Sequence, residues 1–139
     1  FTIKLKNDGS ELFIIYSLLV CISSDIGGLL FGKTFKGPKL TKISPNKTIS
    51  GAIGSFIFSI ILIPIFVNNL INLSLEKFIL VTLFISLTSQ IGDLLISFLK
   101  RKAKVKNTGD ALPGHGGFLD RIDGILLGLP TGILLFNLL

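Results

Sequence analysis

Residues 78–99 read FILVTLFISLTSQIGDLLISFL, an apolar stretch that contains the polar residues Gln90 and Asp93. A helix needs about 20 predominantly apolar residues to cross the hydrocarbon core of a bilayer. The stretch lacks the period-two alternation of a strand, and in lipid only helices and closed barrels satisfy their own backbone hydrogen bonds. We therefore predict a transmembrane helix over these residues.

Three further apolar runs accompany it, at residues 12–31, at residues 52–67, which extend through a neutral stretch to residue 73, and at residues 122–139. Each is long enough to span a membrane, although the last is only just so. Pro64 and Pro130 fall within two of the runs, and proline is tolerated in transmembrane helices as a kink. The pattern predicts an all-α polytopic membrane protein with about four transmembrane helices.

The composition supports a membrane protein and excludes several other classes. Of 139 residues, 49% are hydrophobic and 16% charged, and the mean hydropathy is +0.76. A soluble domain carries roughly 25% charged residues, and a disordered chain needs low hydrophobicity with high charge. The single cysteine, Cys21, excludes a disulfide within the chain.

The net charge of +6 is concentrated in two stretches between the apolar runs. The basic residues of the two stretches are Lys33, Lys36, Lys39, Lys42 and Lys47, and then Lys100, Arg101, Lys102, Lys104, Lys106 and Arg121. Four spans place both stretches on one side, and the positive-inside rule makes that side the cytoplasm. Basic loops at a membrane surface also suit a polyanionic substrate or anionic lipid.

Two carboxylates lie inside the predicted spans. Asp25 precedes Lys33 by eight residues and Asp93 precedes Lys100 by seven, so each lies about 10 Å from the basic end of its helix. A charge at that depth is costly and indicates a functional role by default. The alternative is a structural hydrogen bond to a Ser, Thr or Gln of a neighbouring helix.

A second pair of carboxylates opens the fourth run. Asp120 and Asp123 are three residues apart, which places them on one helix face, and His115-Gly116-Gly117 precedes them. Together with Asp93 they could hold a hard divalent cation, because Mg²⁺ prefers oxygen ligands and commonly binds one or two carboxylates plus substrate phosphates. The alternative for the pair is two acids that stabilise a helix N-terminus.

Residues 97–123 form a longer, fixed pattern. They read Ser97-Phe98-Leu99-Lys100-Arg101, then Lys106-Asn107, Gly109 and Leu112-Pro113, and finally His115-Gly116-Gly117-Phe118-Leu119-Asp120-Arg121-Ile122-Asp123. Upstream stand Ser44-Pro45-Asn46-Lys47-Thr48 with Gly51, and Asp25 with Gly32-Lys33. From about residue 22 to 135 the chain resembles the phosphatidate cytidylyltransferases, also called CDP-diglyceride synthetases.

The resemblance implies transfer of CMP from CTP to phosphatidic acid, with Mg²⁺ as cofactor. The implied partners are CTP, phosphatidic acid and membrane lipids, with a homodimer as one assembly and no nucleic acid. It further implies that residues 1–139 are a single membrane-embedded catalytic domain, the C-terminal part of a longer chain, in the bacterial inner membrane with its active site facing the cytoplasm.

The resemblance also assigns roles to individual residues. The metal ligands would be Asp93, Asp120 and Asp123. The catalytic set would add Lys100, Arg101 and Arg121. The substrate-binding set would be Asp25, Ser44, Asn46, Lys47, His115, Gly116 and Gly117. One departure is Asn107, where the family has Asp; we expect Asn to serve as well in a turn, because both side chains bond nearby backbone amides.

Two other functions fit parts of the sequence. A related CTP-dependent transferase could act on a different lipid phosphate, and the motifs do not separate this from the first interpretation. A cation transporter would explain the intramembrane carboxylates Asp25 and Asp93. It would leave the His115-Gly116-Gly117 segment and the two basic loops without a role.

Overall fold

A computed structural model describes residues 10–42, 44, 47–67, 74–104 and 119–138. These residues form α1 (Ser10–Phe35), α2 (Ile49–Ile61), the short α3 (Ile63–Phe66), α4 (Leu75–Lys102) and α5 (Leu119–Leu138). Within the described ranges there is no strand, only an isolated bridge between Lys39 and Thr48. The prediction of an all-α fold is therefore confirmed.

Three segments are long and apolar enough to cross a membrane, namely Glu11–Phe35, Ile49–Phe66 and Leu75–Lys102. The apolar part of α5, Asp123–Leu138, is shorter. Large side chains such as Leu80, Phe84 and Ile65 are more than half exposed on the outside of these helices. So extensive an apolar surface suits contact with lipid rather than water. The chain is thus a membrane protein with three helices long enough to span the bilayer and a fourth, shorter apolar helix.

The break between α2 and α3 follows from Pro64. Proline has no backbone N–H and its ring clashes with the preceding turn, so the helix cannot continue unchanged through it. Helix α2 ends at Ile61 and α3 begins at Ile63, while Leu62 between them keeps right-handed helical dihedral angles. Pro130, in contrast, lies within α5, which continues past it. The sequence predicted that a transmembrane helix would tolerate both prolines as kinks, and the segment Ile49–Phe66, which contains Pro64, is still long and apolar enough to cross a membrane.

Helix α1 lies at the centre of the bundle and packs against α2, α4 and α5. Its buried face is unusually polar: Tyr16 shares a hydrogen bond with Thr82 of α4, and the hydroxyls of Ser24 and Ser86 lie 3.0 Å apart. In lipid there is no hydrophobic drive for helices to associate, so small residues and hydrogen bonds between helices hold them together. These contacts fix the register of α1 against α4.

Helices α1 and α2 approach so closely that their backbones touch. A Cβ atom added to Gly51 would lie 2.7 Å from the carbonyl oxygen of Gly28. Thr48 begins α2 by accepting a hydrogen bond from the Gly51 N–H at 3.1 Å, the usual role of an N-cap threonine. The start of α2 is thereby held against the last turns of α1.

Candidate active site

A cavity of about 390 Å³ opens between the helices near their basic ends. Helices α1, α2, α4 and α5 and the loop between α1 and α2 all contribute to its wall. Its charged side chains are Asp25 of α1, Lys47 of the loop, Asp93 of α4 and Asp123 of α5. Charges that are distant in sequence therefore meet in one place between the helices.

Lys47 is held in this wall by the conformation of its loop. The Leu40 N–H donates to the Lys47 carbonyl at 2.7 Å, and the Ile49 N–H donates to the Pro38 carbonyl at 3.0 Å. These bonds fold the loop back along itself and direct it into the first turn of α2. The Lys47 ammonium forms an ion pair with the carboxylate of Asp93, and both side chains remain partly exposed, at 25% and 33%.

A second ion pair joins α4 to α5. The Lys100 Nζ lies 3.3 Å from Asp123 Oδ2, and the Asp123 side chain is only 5% exposed. A carboxylate this deeply buried requires a charged or hydrogen-bonding partner to offset its lost hydration. Two lysines thus face two aspartates around the cavity.

Small residues make room for the remaining carboxylate, Asp25. A Cβ atom at Gly124 would lie 3.4 Å from Asp25 Oδ1 and 3.2 Å from the Ser89 carbonyl oxygen. Gly124 therefore lets α5 pass close to α1 and α4, and the Asp25 side chain stays exposed to the cavity. The site holds three carboxylates and two ammonium groups, which suits a ligand that brings both metal ions and phosphates.

Comparison with known proteins identifies the family. The whole chain, residues 1–139, matches the profile described as the cytidylyltransferase family. The chain belongs to the cytidylyltransferase family. The resemblance found in the motifs of residues 97–123 and 44–51 is therefore confirmed.

Several curated relatives of this chain carry the name phosphatidate cytidylyltransferase. That of Staphylococcus haemolyticus is 43% identical over 128 residues, which are 90% of this chain and 48% of the relative. That of Staphylococcus aureus strain COL is 42% identical, over 94% of this chain and 50% of the relative. That of Bacillus subtilis is 41% identical, over 85% and 45%. The chain spans about half the length of these relatives.

The fold of this chain also has a counterpart among solved structures. An intramembrane enzyme for archaeal membrane lipids biosynthesis superposes with a TM-score of 0.59 and 18% sequence identity. The match covers 85% of this chain and 77% of the other. At this identity the likeness establishes the helical membrane fold and nothing finer.

The structure brings together part of the predicted site. Asp25, Lys47, Asp93 and Asp123 line the cavity, and Lys100 reaches it through Asp123. Two other predicted residues do not line it. The Arg101 side chain is exposed, and the half-buried Ser44 donates its N–H to Thr41 Oγ1 at 3.2 Å within the loop.

The remaining predicted residues are not tested by these contacts. Asp120 and Arg121 lie in α5, but the structure describes only their backbone and not their side chains. Others lie outside the described residues altogether, namely Asn46, Asn107, His115, Gly116 and Gly117. Their roles stay predictions, as does the assignment of residues 1–139 to a single domain of a longer chain.

Four polar cavity residues received no role from the sequence, and the largest of them is Gln90 of α4. It lines the cavity and stands three residues before Asp93, on the same helix face. The spacing could have predicted this position, because a polar side chain one turn from an intramembrane carboxylate lies on the same side of the helix. Ser24, Ser55 and Thr48 were also missed, since single hydroxyls are common in membrane helices.

The donors present are compatible with Mg²⁺. Among the side chains that the structure describes, no three of the types His, Cys, Asp and Glu come together as a metal site. Asp93 and Asp123, however, line the same cavity, and one or two carboxylates plus phosphate oxygens are a usual Mg²⁺ ligand set. The oxygen-only donors also disfavour soft metals, which prefer sulfur.

Proposed function

We propose that the protein transfers CMP from CTP to phosphatidic acid, which gives CDP-diacylglycerol and pyrophosphate. The observation that carries the proposal is the cavity lined by Lys47, Asp93 and Asp123, in which Lys47 pairs with Asp93 and Asp123 pairs with Lys100 behind the wall. The name shared by the curated relatives supports the same activity. A site of alternating charges at the basic end of the bundle suits a triphosphate and a phosphate that must be held side by side.

The chemistry requires positioning more than proton transfer. An oxygen of the lipid phosphate attacks the α-phosphorus of CTP, a new O–P bond forms, and the bond to the β-phosphate oxygen breaks to release pyrophosphate. The attacking phosphate is already ionised near pH 7, so no strong general base is needed. Phosphoryl-transfer catalysis of this kind rests on alignment and on neutralising charge.

Lys47 and Lys100 are placed to provide that neutralisation. Each ammonium is near a carboxylate at the cavity and could turn to a phosphate oxygen while staying within reach of its aspartate. Both are only partly exposed, so their charges are screened less than those of surface lysines. Arg101, Arg121 and His115 would add contacts from the second basic stretch, as the family resemblance implies.

Asp93, Asp120 and Asp123 are the residues that we propose would hold Mg²⁺. When bound, the ion would balance the charge of the triphosphate and polarise its phosphate oxygens. Asp25 would then be a polar member of the same cavity, not a ligand. The two lysines that now pair with Asp93 and Asp123 would be released toward the substrate phosphates.

The activity itself is tested by incorporation of radiolabelled CTP into lipid. We expect membranes that contain the full-length protein to label an organic-soluble product when phosphatidic acid is supplied, and to release pyrophosphate in equal amount. A panel of other lipid phosphates, including prenyl ether lipid phosphates, defines the acceptor. Labelling only with another acceptor would replace phosphatidic acid in the proposal, and no nucleotide-dependent product would overturn it.

The orientation of the active site is a further proposal. Positive-inside counting places residues 33–48 and 100–118 in the cytoplasm and residue 69 on the opposite side. Single cysteines introduced at Lys39 and Lys104 of a Cys21→Ser background should therefore resist an impermeant thiol reagent in intact cells, whereas a cysteine at Asn69 should react. Permeabilised cells provide the control, because all three should then react. Labelling of Lys39 and Asn69 positions from the same side would contradict this topology.

A further inference from the structure

Gln90 places an unpaired hydrogen-bond donor in the cavity wall. Its Nε2 atom is buried and has no hydrogen-bond partner within the described structure, while the residue lines the cavity. A buried polar group without a partner costs about 1–3 kcal/mol, so such groups in native proteins usually indicate a ligand or another functional role. The nitrogen of a carboxamide donates hydrogen bonds and does not ligate a metal, so the missing partner is an acceptor atom.

The position of Gln90 distinguishes the two substrates. It lies three residues before Asp93 in α4, which places it about 4.5 Å farther along the helix axis from the basic end. It lies ten residues before Lys100, a separation of about 15 Å along the same axis. On α1 the neighbouring wall residues Ser24 and Asp25 likewise precede the basic end at Lys33. Gln90 is thus on the side of the carboxylates that faces the membrane interior, whereas the lysines lie toward the basic ends.

A nucleotide arrives from water and meets the basic ends first, while a lipid phosphate arrives from the bilayer. The group next to Gln90, on the interior side of Asp93 and Asp123, is then the lipid. We propose that the Gln90 carboxamide donates a hydrogen bond to an oxygen of the acceptor lipid, on its phosphate or the adjoining glycerol ester. This assignment rests on the proposed function and names a lipid contact within the same cavity.

The test replaces Gln90 with Met in the full-length protein, which keeps the length of the side chain and removes the donor. We expect KM for phosphatidic acid to rise about tenfold, as for loss of one hydrogen bond, while KM for CTP stays within about twofold. The control is Thr88→Val on the same helix. The Thr88 hydroxyl donates to the Phe84 and Ile85 carbonyls of α4 and is not among the residues that line the cavity, so neither KM should change.

A binding measurement separates this inference from the proposed activity. Phosphatidic acid added to purified wild-type protein in detergent should raise its midpoint of thermal unfolding, and Gln90→Met should lose most of that rise without a lower midpoint in the absence of lipid. A rise in KM confined to CTP would overturn the assignment to the lipid. If Gln90→Met left both KM values and the lipid-induced rise of the unfolding midpoint unchanged, the proposed hydrogen bond from Gln90 to the lipid would be wrong. Because the thermal shift needs no turnover, it decides about Gln90 even if CTP proves not to be the donor.

Discussion

Replacement of Asp123 by Asn is expected to lower turnover at least about a hundredfold, or about 2.7 kcal/mol in the barrier. The change keeps the size of the side chain but removes the charge that faces Lys100 at 3.3 Å and that we propose binds Mg²⁺. Asp93→Asn should have an effect of the same order, because Asp93 lines the same cavity and pairs with Lys47. The sequence predicts the same for Asp120→Asn. Initial rates of CDP-diacylglycerol formation by purified variants measure these effects.

The matched control for these substitutions is Glu76→Gln. Glu76 is an exposed acid in the first turn of α4, at the other end of the helix from the cavity, so the same loss of one charge should leave turnover within about twofold. Chelation by EDTA should abolish activity of the wild-type protein and added Mg²⁺ should restore it. Full activity in Asp123→Asn, or indifference to EDTA, would show that these acids are structural caps and would contradict the proposed metal site.

The second large effect is expected at the contact between α1 and α2. An Ala at position 51 would place its Cβ 2.7 Å from the Gly28 carbonyl oxygen, and a backbone atom cannot move aside as a side chain can. The helices must separate, which should destabilise the protein by about 1–3 kcal/mol, the usual range for overpacking. Since Gly51 and Gly28 both line the cavity, the separation should also displace Lys47 from Asp93 and lower activity. Thermal unfolding in detergent and the CTP assay measure the two effects.

Gly32→Ala provides the comparison within the same pair of helices. A Cβ at Gly32 would meet the Thr48 hydroxyl at 3.2 Å, a contact that a shift of a few tenths of an ångström can relieve. We expect Gly32→Ala to leave the unfolding midpoint close to that of the wild type, because helix propensity favours Ala over Gly. Equal stability of Gly51→Ala and Gly32→Ala would contradict the backbone contact between α1 and α2.

The sequence alone determined the membrane fold and most of its boundaries. Four apolar runs predicted helices, and the structure has them as α1, α2 with α3, α4 and α5. This succeeds because a segment in lipid must satisfy its backbone within itself, so local hydropathy suffices to identify a helix. The irregularity at Pro64 also has a local cause, because the missing N–H acts within one turn of the same helix. The carboxylates were identifiable because a charge within an apolar run is costly wherever the run packs.

The pairing of those charges was decided by the tertiary structure. Nothing local to Lys47 shows that it meets Asp93 rather than Asp25, since 46 residues separate it from Asp93. The partner is set by how closely α2 approaches α1, which depends on Gly28 and Gly51, and by the loop that folds back before α2. The role of the Gln90 donor was likewise decided by the tertiary structure, because α1 and α5 complete the cavity that Gln90 lines. In lipid, an apolar helix face packs about as well against lipid as against another helix, so it does not determine which helix it contacts. Small residues and buried polar contacts determine the packing partners. These contacts form only when the helices are already side by side.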